Sequence, residues 1–424
     1  MQQPTVHDGH GLPAALSAMP LTYAQRLLSL ASRRARSDPN SAGRRVGLHD
    51  GGMAPPEPPA APGEPAPAEP TRESLAAQLR VPLAVVLVAG ALVGIVVLTT
   101  GLPGAVEVSR VAGDDRFDTA AQLASRSHPE GSEAVVLAAG GDFPDALAAS
   151  ALAGRLDAPI LLVDEETPTV PAATARALRD LAPEQVHLVG GPAVLAEGFE
   201  PVVREFTGAQ IVRHGGEDRF ATAAVIAGGF DADDVATLDG ARTALIVSGR
   251  DFADALAAGA PAAAGPLPIL LSEAEELPAV TADALAALQI ERVLVLGGEA
   301  VLGETVVEEL AGLGTLADVQ RVAGQDRYET ATRLAQAISG LDAFAGEDGL
   351  VLAPGETFPD ALATAPFAAD LGAPLVPVPG ELGDPARALI AERSGPLREI
   401  VIVGGQAVLA ETLEDEVEAA LGRD

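Results

Sequence analysis

No cysteine occurs in the 424 residues, which excludes disulfide frameworks, cysteine-ligated zinc and thiol nucleophiles. That absence leaves the compartment open, because an exported bacterial domain need not carry disulfides. Lysine is missing too. All 27 basic residues are Arg, a bias that reads as GC-rich codon usage rather than chemistry. They are outnumbered by 60 Asp and Glu, and a formal charge of −33 argues against nucleic acid as a partner. Such acidity suits solubility at high salt or the holding of cations. Aromatic residues make up 3% of the chain, too few for stacking on bases or sugars to be its main device.

What the chain does have is a stretch written three times. Arg110-Val111-Ala112-Gly113-Asp114-Asp115-Arg116-Phe117 returns as Arg213-His214-Gly215-Gly216-Glu217-Asp218-Arg219-Phe220 and as Arg321-Val322-Ala323-Gly324-Gln325-Asp326-Arg327-Tyr328. Each copy runs into Xaa-Thr-Ala, at Thr119-Ala120, Thr222-Ala223 and Thr330-Ala331. The spacing is 103 residues from Arg116 to Arg219 and 108 from Arg219 to Arg327. A period that long means domain-sized units rather than a short-repeat solenoid. The repeats are bounded at residues 106–207, 208–317 and 318–424.

Ahead of them, residues 1–80 read as a largely disordered, Pro-rich region with one short basic helix over Leu21 to Arg36. Residues 81–102 carry no charge, and at 1.5 Å per residue 22 residues cross a hydrocarbon core of about 30 Å. The expectation is a single transmembrane helix, since no Ala-Xaa-Ala cleavage site follows it. All eight Arg of the amino-terminal part precede this span, which places residues 1–80 in the cytoplasm and the repeats outside. The acidity belongs to the repeats, with 19 Arg against 53 Asp and Glu.

Within each repeat, short β-branched runs alternate with alanine-rich helical stretches, the pattern of an α/β domain with a largely parallel sheet. The strand segments are continuous apolar runs such as Ala134 to Ala138, as burial on both faces requires. Two further signatures recur. Asp142-Phe143-Pro144-Asp145, Asp251-Phe252-Ala253-Asp254 and Thr357-Phe358-Pro359-Asp360 read as helix starts. The exchange of Asp for Thr357 favours a capping role over a catalytic or metal-binding Asp pair, with the Phe packed under the helix. The double-Gly turns Gly190-Gly191, Gly297-Gly298 and Gly404-Gly405 sit between strand and helix. They allow two readings: a tight turn needing positive φ, or backbone N–H groups offered to an anion or sugar. Arg116, Arg219 and Arg327 likewise serve either as local ion pairs or as forks gripping an acidic polymer.

Together these motifs resemble the cell wall-binding repeat 2 family, over about residues 106–424. The resemblance implies Toprim-like or flavodoxin-like α/β modules in a pseudo-threefold arrangement, and non-covalent attachment to anionic cell-wall polymer or peptidoglycan. Carried onto this sequence, it points to ligand contacts at Arg116, Arg219 and Arg327 and at Gly190, Gly191, Gly297, Gly298, Gly404 and Gly405. The expected whole is a membrane-anchored envelope protein of a Gram-positive, actinobacterial cell, its repeats outside at the wall. No cofactor is expected, although divalent cations offer a bridge between acidic protein and anionic polymer. The third copy departs from the others at Thr357 and at Pro377 and Pro379, which interrupt a strand.

Two other readings compete. One is a sensory or scaffold protein with a cytoplasmic partner for residues 1–80. The other is a metal-dependent hydrolase on a Toprim-like fold, using Asp142 and Asp145 with Asp115. Against an enzyme, His128, His187 and His214 have no counterparts in the other copies, and no Ser or Cys nucleophile motif recurs. No catalytic or metal-ligating residue is therefore assigned.

Overall fold

A computed structural model describes residues 106–423, apart from 166, 168 and 345–347. Its strands are β1 (Glu107–Val111), β2 (Ala134–Ala139), β3 (Ile160–Val163), β4 (Gln185–Val189) and β5 (Gln210–His214). They continue with β6 (Thr237–Leu238), β7 (Ala241–Ser248), β8 (Ile269–Ser272), β9 (Arg292–Leu296) and β10 (Asp318–Val322). The last three are β11 (Gly349–Pro354), β12 (Leu375–Val378) and β13 (Glu399–Val403). Helices cross between them, so every strand neighbour is parallel except the short β6–β7 pair.

The first sheet has the order β3-β2-β4-β5. Counted from its own first strand this is 2-1-3-4, the order of a flavodoxin-type doubly wound sheet shortened by one strand. The other two sheets repeat it, as β8-β7-β9-β10 and β12-β11-β13-β1. The inner strands are sealed on both faces, β2 and β3 along their whole length, whereas the handed-over edge strands β1, β5 and β10 are mostly half-buried.

The fourth strand of every sheet comes from the following repeat. β5 opens the second copy of the repeated stretch yet pairs with β4, and β10 opens the third yet pairs with β9. β1, at the start of the first copy, pairs in parallel register with β13, from Glu107 opposite Glu399 to Val111 opposite Val403. Three modules thus hand a strand forward, and the last hand-over closes a ring.

The centre of the ring is built from small side chains. The helix Phe143–Leu156 is buried at every position from Phe143 to Ala153, and the helix Pro359–Asp370 is nearly as enclosed. A helix that is apolar all round belongs in a core. These two helices and the shorter Gly259–Ala264 pack on one another. A Cβ placed on Gly154 would lie 1.9 Å from the Ala263 carbonyl oxygen, so the approach there needs glycine. At the helix starts the three phenylalanines meet each other rather than lying under their own helices. Phe143, Phe252 and Phe358 form a triangle with centroids 5.7, 5.4 and 6.0 Å apart, all edge-on or tilted.

Two expectations need correction. The transmembrane helix over 81–102, like residues 1–80, lies outside the described residues. Among the described residues no helix is long and apolar enough to cross a membrane. The longest, Phe143–Leu156, has 14 residues, about 21 Å of helix. The fold class of the described residues is mixed α/β with parallel sheets. Secondly, Pro377 does not interrupt the third sheet: β12 is an edge strand, where a missing N–H costs no ladder bond.

Because all three modules share the Phe triangle, its loss acts on the whole ring. Phe143→Ala is expected to cost about 3 kcal/mol and to lower the thermal midpoint of all three repeats together. Calorimetry showing only one repeat melting earlier would contradict that sharing.

Candidate functional site

In sheets of this order, ligands bind outside the carboxyl ends of the strands, where the strand order reverses. Here that point lies between β2 and β4, at Gly140-Gly141-Asp142 and Gly190-Gly191, and at the equivalent places in the other two sheets. Each such point is also a junction, because the repeated stretch of the next repeat folds back over it.

The junction is assembled from the motif residues. Asp115, Asp218 and Asp326 cap the helices that follow them, accepting from the backbone N–H of Asp118, Ala221 and both Tyr328 and Glu329. Each cap satisfies an orphan donor of the first helical turn. The capping role expected at Asp142 is not seen there, where no side-chain cap bond forms. Asp251 does accept from Ala253 N–H at 2.9 Å.

Arg116, Arg219 and Arg327 are then the first residues of those helices. Each points its Nη1 at the carbonyl just after a strand of its own repeat, β2, β7 or β11: Gly140 at 2.6 Å, Gly249 at 2.7 Å and Gly355 at 2.8 Å. Across the junction, Arg219 Nη2 lies 3.9 Å from the Asp142 carboxylate of the preceding repeat. Arg327 stacks over Phe252 of the preceding repeat, 5.7 Å from its centroid. Arg219 and Arg327 are half-buried and Arg116 is exposed, each with one edge committed to a carbonyl.

The same junction buries a carboxylate. Asp145 is 3% exposed, its Oδ1 has no partner, and Thr222 of the next repeat hydrogen-bonds to it. Asp254 with Thr330 and Asp360 with Thr119 repeat the contact, the last across the closing junction. Burial raises all three above the usual carboxylate range. Asp145 is raised to about 6, by burial first and by the neighbouring Asp142 second, with Arg219 pulling the other way. Asp115, imagined beside Asp142 and Asp145 in a metal site, faces Asp360 instead. Among the described residues no cluster of His, Cys, Asp or Glu fits a metal ion.

The double-Gly turns line the junction but are largely occupied by architecture. Gly190, Gly297 and Gly404 have φ of +124°, +111° and +123°, where a side chain is strained. Their N–H groups donate to the carbonyls of His214, Val322 and Val111, continuing the sheet ladder. Their carbonyls accept from Arg213, Arg321 and Arg110 at 2.8, 3.0 and 2.8 Å. The carbonyls of Gly191, Gly298 and Gly405 each take two N–H groups of the following turn. Gly191 is further closed in, with the Gly216 carbonyl 2.9 Å from any added Cβ, whereas Gly298 faces open space.

Arg110, Arg213 and Arg321 were not among the expected site residues, yet they pin each turn in place. Each also meets a carboxylate, Glu414, Glu200 and Glu304, at 2.5, 2.7 and 3.3 Å. The signal for them was present: each opens its copy of the repeated stretch. Away from the junctions, a groove of about 400 Å³ lies between the helices Arg116–Ser127 and Ala172–Leu181. Its polar lining of Asp118, Gln122, Ser125, Arg126, Arg176 and Asp180 was not foreseen either, because only the first repeat carries that set.

The buried carboxylate gives a pH dependence of stability. Between pH 4 and 6 native Asp145 holds a proton that the unfolded chain has lost, so its contribution falls as pH rises through that window. The full cost above pH 6 is about 3 kcal/mol. Asp145→Asn is therefore expected to melt higher than the parent at pH 7 and to lose that advantage near pH 4. Equal melting shifts at both pH values would contradict the assignment.

Comparison with known proteins matches the described features. The model for cell wall binding domain 2 (CWB2) matches residues 110–200, 213–307 and 321–414. The chain is 25% identical over 311 residues to "N-acetylmuramoyl-L-alanine amidase LytC" of Bacillus subtilis (strain 168), covering 73% of this chain and 58% of that protein. It is 29% identical over 262 residues to the "Amidase enhancer" of the same organism, covering 61% of this chain and 33% of that protein. The matches thus span about half or less of those relatives' own lengths. Among solved structures, Cwp8 from Clostridium difficile superimposes with a TM-score of 0.64 at 24% identity, over 79% of this chain and 55% of that one. Cwp6 from the same organism gives a TM-score of 0.64 at 23% identity, over 74% and 48%. Three matched segments, each carrying the repeated stretch and the double-Gly turn, place this chain in the cell wall binding domain 2 family.

Proposed function

We propose that this protein binds an anionic cell-wall polymer or peptidoglycan non-covalently, outside the cell, through the three junctions of its ring. The observation that carries the reading is the half-spent guanidinium at each junction. Arg116, Arg219 and Arg327 each keep Nη1 on a backbone carbonyl beside the switch-point turn, and the loose 3.9 Å approach of Arg219 Nη2 to Asp142 leaves that nitrogen open to a closer anion. A fork fixed in this way suits carboxylate or phosphate and has lost little freedom on binding. Gly298 and Gly405 supply backbone N–H groups beside it.

Three such sites on one rigid frame gain avidity on a repeating polymer even when each is weak. The buried carboxylates are spent on Thr222, Thr330 and Thr119 of neighbouring repeats, an arrangement that holds the junction together as a binding surface. The relatives named for amidase activity and its enhancement extend well beyond the matched segment. The excess of acidic residues repels an anionic polymer at long range, so attachment is expected to depend on salt and on divalent cations that bridge.

The test is sedimentation of the purified protein with cell-wall sacculi, before and after stripping their anionic polymers, with and without calcium. Pelleting is expected to fall on stripping. Joint replacement of Arg116, Arg219 and Arg327 by Lys, which keeps the charge and a carbonyl contact but removes the fork, is expected to weaken it about tenfold or more. Absence of pelleting in every arm would overturn the reading.

A further inference from the structure

The three seams at which one repeat hands a strand to the next share one backbone register. At their outer end they differ as Gln185 with Gln210, Arg292 ion-paired with Asp318 at 2.8 Å, and Glu399 with Glu107. The difference that falls inside the sheet is one largely buried pair. At the first seam, His187 of β4 and His214 of β5 lie on one face with their rings stacked, centroids 5.2 Å apart and planes 16° from parallel. Nδ1 of His187 is 2.9 Å from Nε2 of His214, so one ring donates its N–H and the other accepts. In the second seam the register puts Leu294 and Val322 in these places, and in the third Val401 and Val111. All four are buried aliphatic residues.

The histidine pair is poorly provided for as a charge. His187 is 5% exposed and its Nε2 has no hydrogen-bond partner. Facing it, β2 offers only the apolar run Ala134–Ala139. From the helix Phe143–Leu156 comes Arg155, whose cation bears on both rings. That guanidinium donates to the Gly229 carbonyl at 2.6 Å, and the charges of Asp231 and Asp234 act on it. Arg213, beside His214 on β5, is tied to Glu200 and the double-Gly turn. Burial, then the His214 and Arg155 charges, lowers His187 to about 4, and burial and Arg155 lower His214 as well.

We propose that this seam is an acid-operated latch: neutral imidazoles tie β4 to β5, and protonation of the pair releases β5 while the two aliphatic seams hold. The sign follows from the depressed folded values. The stabilisation is complete above the unfolded value near 6.5 and is lost as pH falls from there towards 4. Over that window each pH unit shifts the opening equilibrium by up to tenfold per histidine. Release of β5 dismantles the junction beyond it, since the His214 carbonyl takes the Gly190 N–H at 2.8 Å. The latch stands on the fold alone. Where the wall-binding reading holds, the Arg219 junction is the contact that acid withdraws.

Hydrogen exchange of the full chain between pH 7 and 4.5, corrected for intrinsic rates, tests the latch. Protection of 210–214 is expected to fall at least tenfold relative to 107–111 and 318–322, which serve as controls in the same molecule. His187→Leu with His214→Val, copying the second seam, is expected to abolish the difference. Equal loss of protection in all three strands, or a loss unchanged in the double variant, would overturn the proposal. In the unaltered chain, the His187 ring is expected to titrate below pH 5 by NMR, and titration near 6.5 would overturn it regardless of how the variant folds. Wall sedimentation at pH 7 reports separately on the binding reading.

Discussion

Everything in this molecule depends on a strand being given away. A three-stranded parallel sheet with one bare edge invites pairing with whatever strand comes near. Here each repeat covers that edge with the opening strand of the next, and β1 covers the last one from the far end of the sequence. The repeat defined by sequence and the sheet defined by hydrogen bonds are therefore out of phase by one strand. No repeat completes its sheet with its own strands alone, and the three hand-overs close on themselves.

The out-of-phase arrangement puts the same residues to two uses. The stretch that follows each handed-over strand must turn sharply over its neighbour's sheet, which the capping Asp, the anchoring Arg and the double-Gly turn accomplish. It also delivers an Arg and a Thr to the crevice at the carboxyl ends of the strands, where the Thr meets the buried Asp of the neighbouring repeat. Architecture has the first claim on them: the first Gly of each pair spends both N–H and carbonyl within the protein, and each Arg spends one edge of its fork. What remains for a ligand is the outer edge of Arg116, Arg219 and Arg327 and the more open turns at Gly298 and Gly405. The helix trio and Phe triangle at the centre keep the three junctions at fixed separations.

Much of the fold was legible because it rests on local rules. Continuous apolar runs marked the buried strands, and β2 formed within a residue of where Ala134 to Ala138 placed it. The helix that follows β4 begins only at Phe199. There the carbonyl of Gly191 takes both Val194 and Leu195 N–H and holds a separate turn, which periodicity does not reveal. The Phe triangle escaped detection because three residues more than 100 positions apart meet only once the ring closes. The buried Asp145 was visible as a recurrent residue, but its partner Thr222 belongs to another repeat, and no local spacing shows that. His187 and His214 were visible as histidines without counterparts in the other copies, but their pairing across β4 and β5 was not, because it depends on the strand hand-over.

Ring closure is the claim on which the junctions, the centre and the seams all rest. It is most directly tested by a disulfide between Glu107→Cys and Glu399→Cys, a register pair of β1 and β13 in a chain with no other cysteine. Paired parallel strands hold their Cα atoms about 5 Å apart, within reach of a disulfide. Mild oxidation of dilute protein is expected to give a cross-link within one chain, with faster migration on a non-reducing gel and unchanged mass. Cross-links only between chains, or none, would contradict a ring closed by its own first strand.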